Sequence, residues 1–204
     1  MSAVSEAIAR EYFEQLGFLV SQPCKHVTQG RIKTTEEELD LIVMNPRDGE
    51  HRVPEHMVWA QGDLATVTRA VVAVRGGHTE RFSAATFEQT PEILRFAESA
   101  ARRSAAVRLG GESVAAILCL PDLPASGELR DKTVAALRER GVDGVLSFRT
   151  MLSELLTLVK VNRNYERSDL LQTLRILKNY GMMRDPQMEL FSRRARKMKT
   201  KGQE

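Results

Sequence analysis

At 204 residues and 42% hydrophobic side chains, the chain is long enough to bury one full core with a short appendage. No apolar run approaches the roughly 18 residues of a membrane span, and the opening MSAVSEAIAREYF lacks the basic and apolar regions of a signal peptide, so no membrane partner and a reducing, cytoplasmic setting are expected. The net charge of +3 is unevenly placed: SRRARKMKTKGQE, from Ser192 onward, carries six Lys or Arg against one Glu, a local +5 that leaves −2 on the first 191 residues.

Val4, Ile8, Tyr12, Phe13 and Leu16 recur at helical spacing, Ser2 or Ser5 can cap the run, and Gly17 stops it. FLVSQPCKHVTQGRI then reads as a strand interrupted at Pro23, which places the break at an edge or bulge. EEELDLIVMNP predicts a second strand from about Glu38 that turns at Asn45-Pro46. Residues 47 to 68 are weakly patterned and read as loop or hairpin, with MVWA as a candidate short strand. The stretch RAVVAVRGGHTERF opens as a buried third strand on which Ala73 and Arg75 share a face, because neighbouring residues alternate sides.

Thr90-Pro91-Glu92 places cap, proline and early acid in the order of a helix start. That helix is expected to run to about Val107, with Ile93, Leu94, Phe96 and Ala97 inward and Arg95, Arg102 and Arg103 on the exposed face. SVAAILCLP is a continuous apolar run suited to a strand covered on both faces. SGELRDKTVAALRERG follows as a helix, VDGVLSF as a last strand, RTMLSELLTLV as a helix, and RSDLLQTLRILKNYG as a helix capped by Ser168 that packs back on the body. The alternation predicts an α/β fold, a mixed central sheet flanked by helices with a helical C-terminal extension. The divisions are residues 1–148 for the α/β core, 149–191 for the helical extension, and 192–204 for a basic, disordered tail.

Cys24 and Cys119 lie far apart without CxxC or Cys-His spacing, which predicts packed thiols rather than a disulfide or zinc site. His26, His51 and His56 have no metal-ligand spacing and are read as surface residues. Gly76-Gly77 lets the backbone come close to a neighbour, a phosphate included, and is equally compatible with an ordinary turn.

The order of elements, together with Glu6 in the first helix, Asp40 in ELDLIV and the V-x-V-cation ending at Arg75, resembles the PD-(D/E)XK nuclease superfamily, the restriction-endonuclease-like fold. The resemblance spans roughly Ser5 to Leu120, and Glu6 stands eleven residues before the Gly17-Phe18 turn, similar to archaeal Holliday-junction resolvases of that superfamily. It implies Asp40 and Glu6 as catalytic acids, Asp40 as a Mg²⁺ ligand and Arg75 at the position of the catalytic lysine; Glu38, two residues before Asp40 and on the same strand face, is read as a second metal ligand in place of the missing acid. Mg²⁺ serves such chemistry by neutralising developing charge and acidifying its water, and it needs more than one carboxylate. Ala73 stands where the family's acid belongs and offers no oxygen. Arg75 cannot act as a base but can clamp a phosphate.

The resemblance therefore implies a nucleic-acid-binding protein on a catalytically impaired nuclease scaffold, with Arg75, His78, Arg193, Arg194, Arg196 and Lys197 contacting phosphates. DNA is the expected partner, RNA a possible one, and a homodimer is compatible with the superfamily. Two alternatives stay open. One is an active Mg²⁺-dependent endonuclease whose displaced acid is Glu38, Glu80, Glu88 or Glu92. The other is a protein-interaction scaffold that binds no nucleic acid, in which the cleft around Asp40 and Arg75 is filled.

Overall fold

The computed structural model describes residues 3–23, 39–47, 49–78, 82–111 and 113–183. The basic segment from Ser192, Glu38, Glu80, Cys24 and His26 lie outside these residues. The chain divides into two compact units, Met1–Met151 and Leu152–Glu204.

Helix α1 (Ala3–Gln15) buries Ser5, Ile8, Ala9, Tyr12 and Phe13 along one stripe. Gly17 ends it at φ +89°, a left-handed conformation that Cβ-bearing residues resist. Phe18 N–H then donates to the Phe13 carbonyl at 3.0 Å and Gly17 N–H to Glu14 at 3.0 Å, satisfying two orphan carbonyls. The Phe13 and Phe18 rings meet edge to face at 5.5 Å, the apolar contact that accompanies such a cap.

Five strands form one sheet in sequential order: β1 (Leu19–Ser21), β2 (Leu41–Met44), β3 (Arg69–Val74), β4 (Ala115–Leu120) and β5 (Gly144–Ser147). The first two pairings are antiparallel and the last two parallel, so the sheet is mixed and β3 is central. Between β3 and β4 lie α2 (Ala84–Gln89), a 3-10 stretch (Pro91–Ala97) and α3 (Ser99–Leu109); α4 (Gly127–Glu139) joins β4 to β5. Val71 and Ala73 enter an apolar cluster with Phe87, Phe96, Ala101, Ala105 and Leu137 from these helical segments. Ala70, Val72 and Val74 are equally buried on the opposite face, as the period of two requires. No α1 residue belongs to that cluster, yet α1 contacts β3, so helices cover both faces.

The expected single helix from Thr90 is two elements. Pro91–Ala97 is 3-10 and lines up Leu94 and Ala97, both buried, three residues apart. Glu98 is extended (φ −65°, ψ 152°), and the α-helix starts only at Ser99. Helix α2 was not foreseen: Ser83 N–H donates to the Thr86 hydroxyl at 3.2 Å, and Phe87 is its buried anchor. Arg102, expected on the exposed face, is half-buried and paired with Asp143 at the head of β5.

Residues 49–68 form a closed loop. Arg52 and Thr66 exchange hydrogen bonds, Arg52 N–H to Thr66 O at 2.9 Å and Thr66 Oγ1 to Arg52 O at 3.0 Å. Within the expected MVWA strand, Val58 makes a single parallel bridge to Val145, which puts backbone against the edge of β5. The indole of Trp59, 1% exposed, lies against Gly144 where a Cβ would collide with the ring.

Helix α5 (Phe148–Leu158) spans the division, and α6 (Asp169–Asn179) belongs to the second unit. The Ser168 hydroxyl accepts from Leu171 N–H at 3.2 Å, the cap read from sequence. Lys178 Nζ donates to the Leu156 and Val159 carbonyls at 2.6 and 3.0 Å, placing a cation at the negative end of α5. Among the described residues no helix is long and apolar enough to cross a membrane.

Candidate functional site

Asp40 directly precedes β2 and Arg75 directly follows β3. The antiparallel register, Leu41 opposite Val72, brings these two flanking residues to one end of the sheet. Arg75 prolongs the parallel pairing, its N–H donating to the Cys119 carbonyl at 2.8 Å. Its guanidinium folds back over the strand end: Nη1 donates to Asp40 Oδ2 at 2.6 Å and to the Val74 carbonyl at 3.0 Å, and Nη2 to the Ile93 carbonyl at 3.1 Å. The same Asp40 oxygen accepts from Val74 N–H at 2.7 Å. The arginine side chain is 14% exposed and the aspartate 7%, so this is a nearly dry ion pair held by two extra main-chain carbonyls. Such pairs gain little in net stability but are costly to break, since one partner is left charged and desolvated.

Glu6 on α1 belongs to the same neighbourhood. Burial raises its carboxyl above the usual range, the Asp40 charge raises it further, and Arg75 pulls it partly back. Cys119, completely buried beneath the pair, has its thiol pushed up by burial first and by Asp40 second, which makes it a packed, unreactive thiol as read from sequence. Ala73 is 0% exposed within the apolar cluster of Ile42, Val71 and Phe96. The position at which the resemblance would place an acid is thus a piece of hydrophobic core.

His78 packs on Ser5 and Phe148. Its Nε2 lies 3.2 Å from the Ser5 hydroxyl on α1, and its ring meets Phe148 edge to face at 4.9 Å. Gly76 is pressed so closely on Ser5 that a Cβ would collide with that side chain. In this structure the glycine serves packing of the strand end on α1.

Glu88 and Glu92 are exposed on their helical segments, while Glu38, Glu80 and the four basic tail residues Arg193, Arg194, Arg196 and Lys197 lie outside the described residues. Among the described residues no three His, Cys, Asp or Glu side chains form a group able to hold a metal ion. With Asp40 bound to a guanidinium and Ala73 in place of an oxygen donor, the described residues do not fit a Mg²⁺ site. The structure therefore closes Asp40 and Arg75 on each other and leaves Glu6 within reach of their charges. Two contributors escaped the sequence reading: Ser5, whose buried hydroxyl meets His78, and Ile93, which contributes only its carbonyl. A serine among helix-start residues looks like a cap, and a carbonyl leaves no side-chain signal at all.

Compared with known proteins, the chain matches no family model, no curated protein and no solved structure.

Proposed function

We propose that the chain is a nucleic-acid-binding protein on a restriction-endonuclease-like scaffold that has lost phosphodiester hydrolysis. One observation carries the reading: the Arg75 guanidinium sits on Asp40 at 2.6 Å, where a nuclease of the resembled type would hold its metal. A cation built into the chain neutralises the strand-end carboxylate and keeps the geometry of the site without a Lewis acid or a base. The succession of an acid-bearing helix, three antiparallel strands, helices and a parallel strand supports the scaffold. The closed Asp40–Arg75 end is also what the protein-interaction alternative expects; with the Arg75 donors engaged internally, the nucleic-acid reading rests its phosphate contacts on the basic tail, where Arg193, Arg194, Arg196 and Lys197 release counterions on binding.

The test is the salt dependence of duplex DNA binding by the full chain and by a variant carrying glutamine at those four positions. Each lost phosphate contact reduces the slope of log K against log salt by about 0.9; an unchanged slope would remove the tail from the reading. Supercoiled plasmid with Mg²⁺ or Mn²⁺ should remain intact.

One feature favours the endonuclease alternative: Glu6, whose carboxyl is raised first by burial, also feels the charge of Asp40. Two neighbouring carboxylates are what a divalent cation would draw together. Plasmid cleavage that vanishes in Asp40→Asn would establish that alternative and overturn the proposal.

A further inference from the structure

At the opposite end of β3 three buried N–H groups have no acceptor: Nε of Arg69, Nε of Arg102 and Nε2 of His51. One other buried side-chain atom among the described residues shares that condition, Nε of Arg10 on α1. Three of four such atoms therefore fall in one cluster. An N–H shut off from water and left unbonded costs about 1–3 kcal/mol, and a cluster of them calls for a partner such as a bound ion.

The donors of the cluster come from a loop, a strand and a helix. His51 in the closed loop is anchored through Nδ1, which accepts from Thr68 N–H at 3.1 Å and lies 3.0 Å from the Thr68 hydroxyl. A backbone N–H can only donate, so the neutral ring carries its proton on Nε2 and presents a donor. Arg69, the next residue, projects on the face of the sheet covered by α3, from which Arg102 descends. The chain at Gly111 runs against the Arg69 guanidinium so closely that a Cβ would lie 2.5 Å from its Cζ and Nε. Arg102 is fixed through its Nη2 by Asp143, whose Oδ2 also accepts from Ala116 N–H at 2.7 Å.

The charges do not balance. Two guanidinium groups face one carboxylate that is already shared with a backbone N–H, and the Arg69 guanidinium has no hydrogen bond or ion pair among the described residues. Burial lowers the His51 imidazole below its usual range, and Arg69 and then Arg102 lower it further, so the ring stays neutral beside the two cations. Among the described residues, what the cluster lacks is a negatively charged acceptor with several oxygens. Arginine pairs with such groups by two parallel N–H bonds, and donors from a loop, a strand and a helix suit a tetrahedral group better than a planar one.

We propose that His51, Arg69 and Arg102 bind a phosphate-class oxyanion at the head of β3. The site shares no residue with the Asp40–Arg75 pair or with the tail, so it stands or falls independently of the proposed function. A free phosphate and a backbone phosphodiester present the same oxygens, and the experiment separates them.

The experiment follows the His51 ring signals of the full chain by NMR during titration with inorganic phosphate, and separately with a short DNA duplex, at constant ionic strength set with chloride. Saturable movement of the His51 signals, with an upward shift of its titration midpoint, is expected as the anion offsets the two arginines. Arg69→Gln should weaken that response at least about tenfold, or 1.4 kcal/mol, while circular dichroism shows an intact fold. A response to phosphate assigns a small-anion pocket, and a response to duplex alone assigns a backbone contact. No saturable response to either, the same response to chloride, or an unaltered response in folded Arg69→Gln overturns the site. Should Arg69→Gln fail to fold, the wild-type titration against the chloride control decides the matter by itself.

Discussion

One strand carries an arginine at each end, on the same face, and the two are treated in opposite ways. Arg75 donates to the Asp40 carboxylate and to two main-chain carbonyls in a setting that leaves it 14% exposed. Arg69 lies against Gly111 with its Nε buried and without an acceptor. A guanidinium whose donors are met inside the fold has become part of its architecture. A guanidinium whose donors are left unmet is set up to receive something. The residue type is the same at both ends, so partners rather than identity separate cement from receptor. In the nuclease-like reading the chemistry belongs at the Arg75 end, yet that is the end the fold has closed.

The sharpest contrast is in stability. Arg75→Met leaves Asp40 as a desolvated carboxylate without its cation and should cost about 3–5 kcal/mol in urea unfolding, whereas Arg69→Gln removes a buried cation whose Nε has no acceptor and should leave stability unchanged or raise it by up to about 1–3 kcal/mol. Replacing both members of the closed pair, as in Asp40→Leu with Arg75→Met, should recover most of the loss, because a well-packed apolar pair often equals a buried ion pair. Equal losses at Arg75 and Arg69 would break the comparison. Next in size, Ala73→Glu forces a carboxylate into the apolar cluster beside Asp40 and should cost about 2–4 kcal/mol, with no metal-dependent plasmid cleavage. Cleavage by that variant would show that the closed end can be reopened, with Ala73 as the missing ligand.

At the Arg69 end, Gly111→Ala tests the receptor without touching a charge. A methyl group would have to push the guanidinium aside, and the far end of an arginine moves easily, so stability should change by less than about 1 kcal/mol. The His51 response to phosphate should nevertheless fall several-fold. A full response in the variant would mean that the position of Arg69 is immaterial.

What could be read from sequence follows from how local its cause is. The β4 run AAILCL is apolar at every position and is buried at every position. The Ser168 cap and the Gly17 stop depend on neighbouring residues and are found where the pattern put them. Arg102 belongs to a different case. It adjoins the buried Ala101 on α3, and its partner Asp143 is supplied by another strand's approach, so a helical pattern alone places it in solvent. The same holds for Asp40 and Arg75. Both were singled out by type and spacing, but their closure on each other across 35 residues follows from strand register and from the Ile93 carbonyl of a 3-10 segment that sequence periodicity had merged into a longer helix.

The smallest effects lie in the pH dependence, where the two ends should tilt stability in opposite directions. The folded His51 takes up its proton less readily than the usual 6.5 of an unfolded chain. As pH falls below 6.5 the unfolded state is protonated first, so stability is lost on that side, and His51→Gln should flatten the loss. Glu6 is raised above its usual 4.5, so the folded state holds this proton more firmly than the unfolded one. Its contribution is complete below 4.5 and is lost as pH rises through the folded value, and Glu6→Gln should flatten that decline and stabilise the chain at neutral pH by about 0.5 kcal/mol or less. Urea midpoints from pH 4 to 8 for the two variants separate the contributions, since the His51 contribution rises with pH and the Glu6 contribution falls with it. If phosphate occupies the Arg69 end, adding it should shrink the His51 slope and leave the Glu6 slope unchanged, because only the imidazole faces the bound anion.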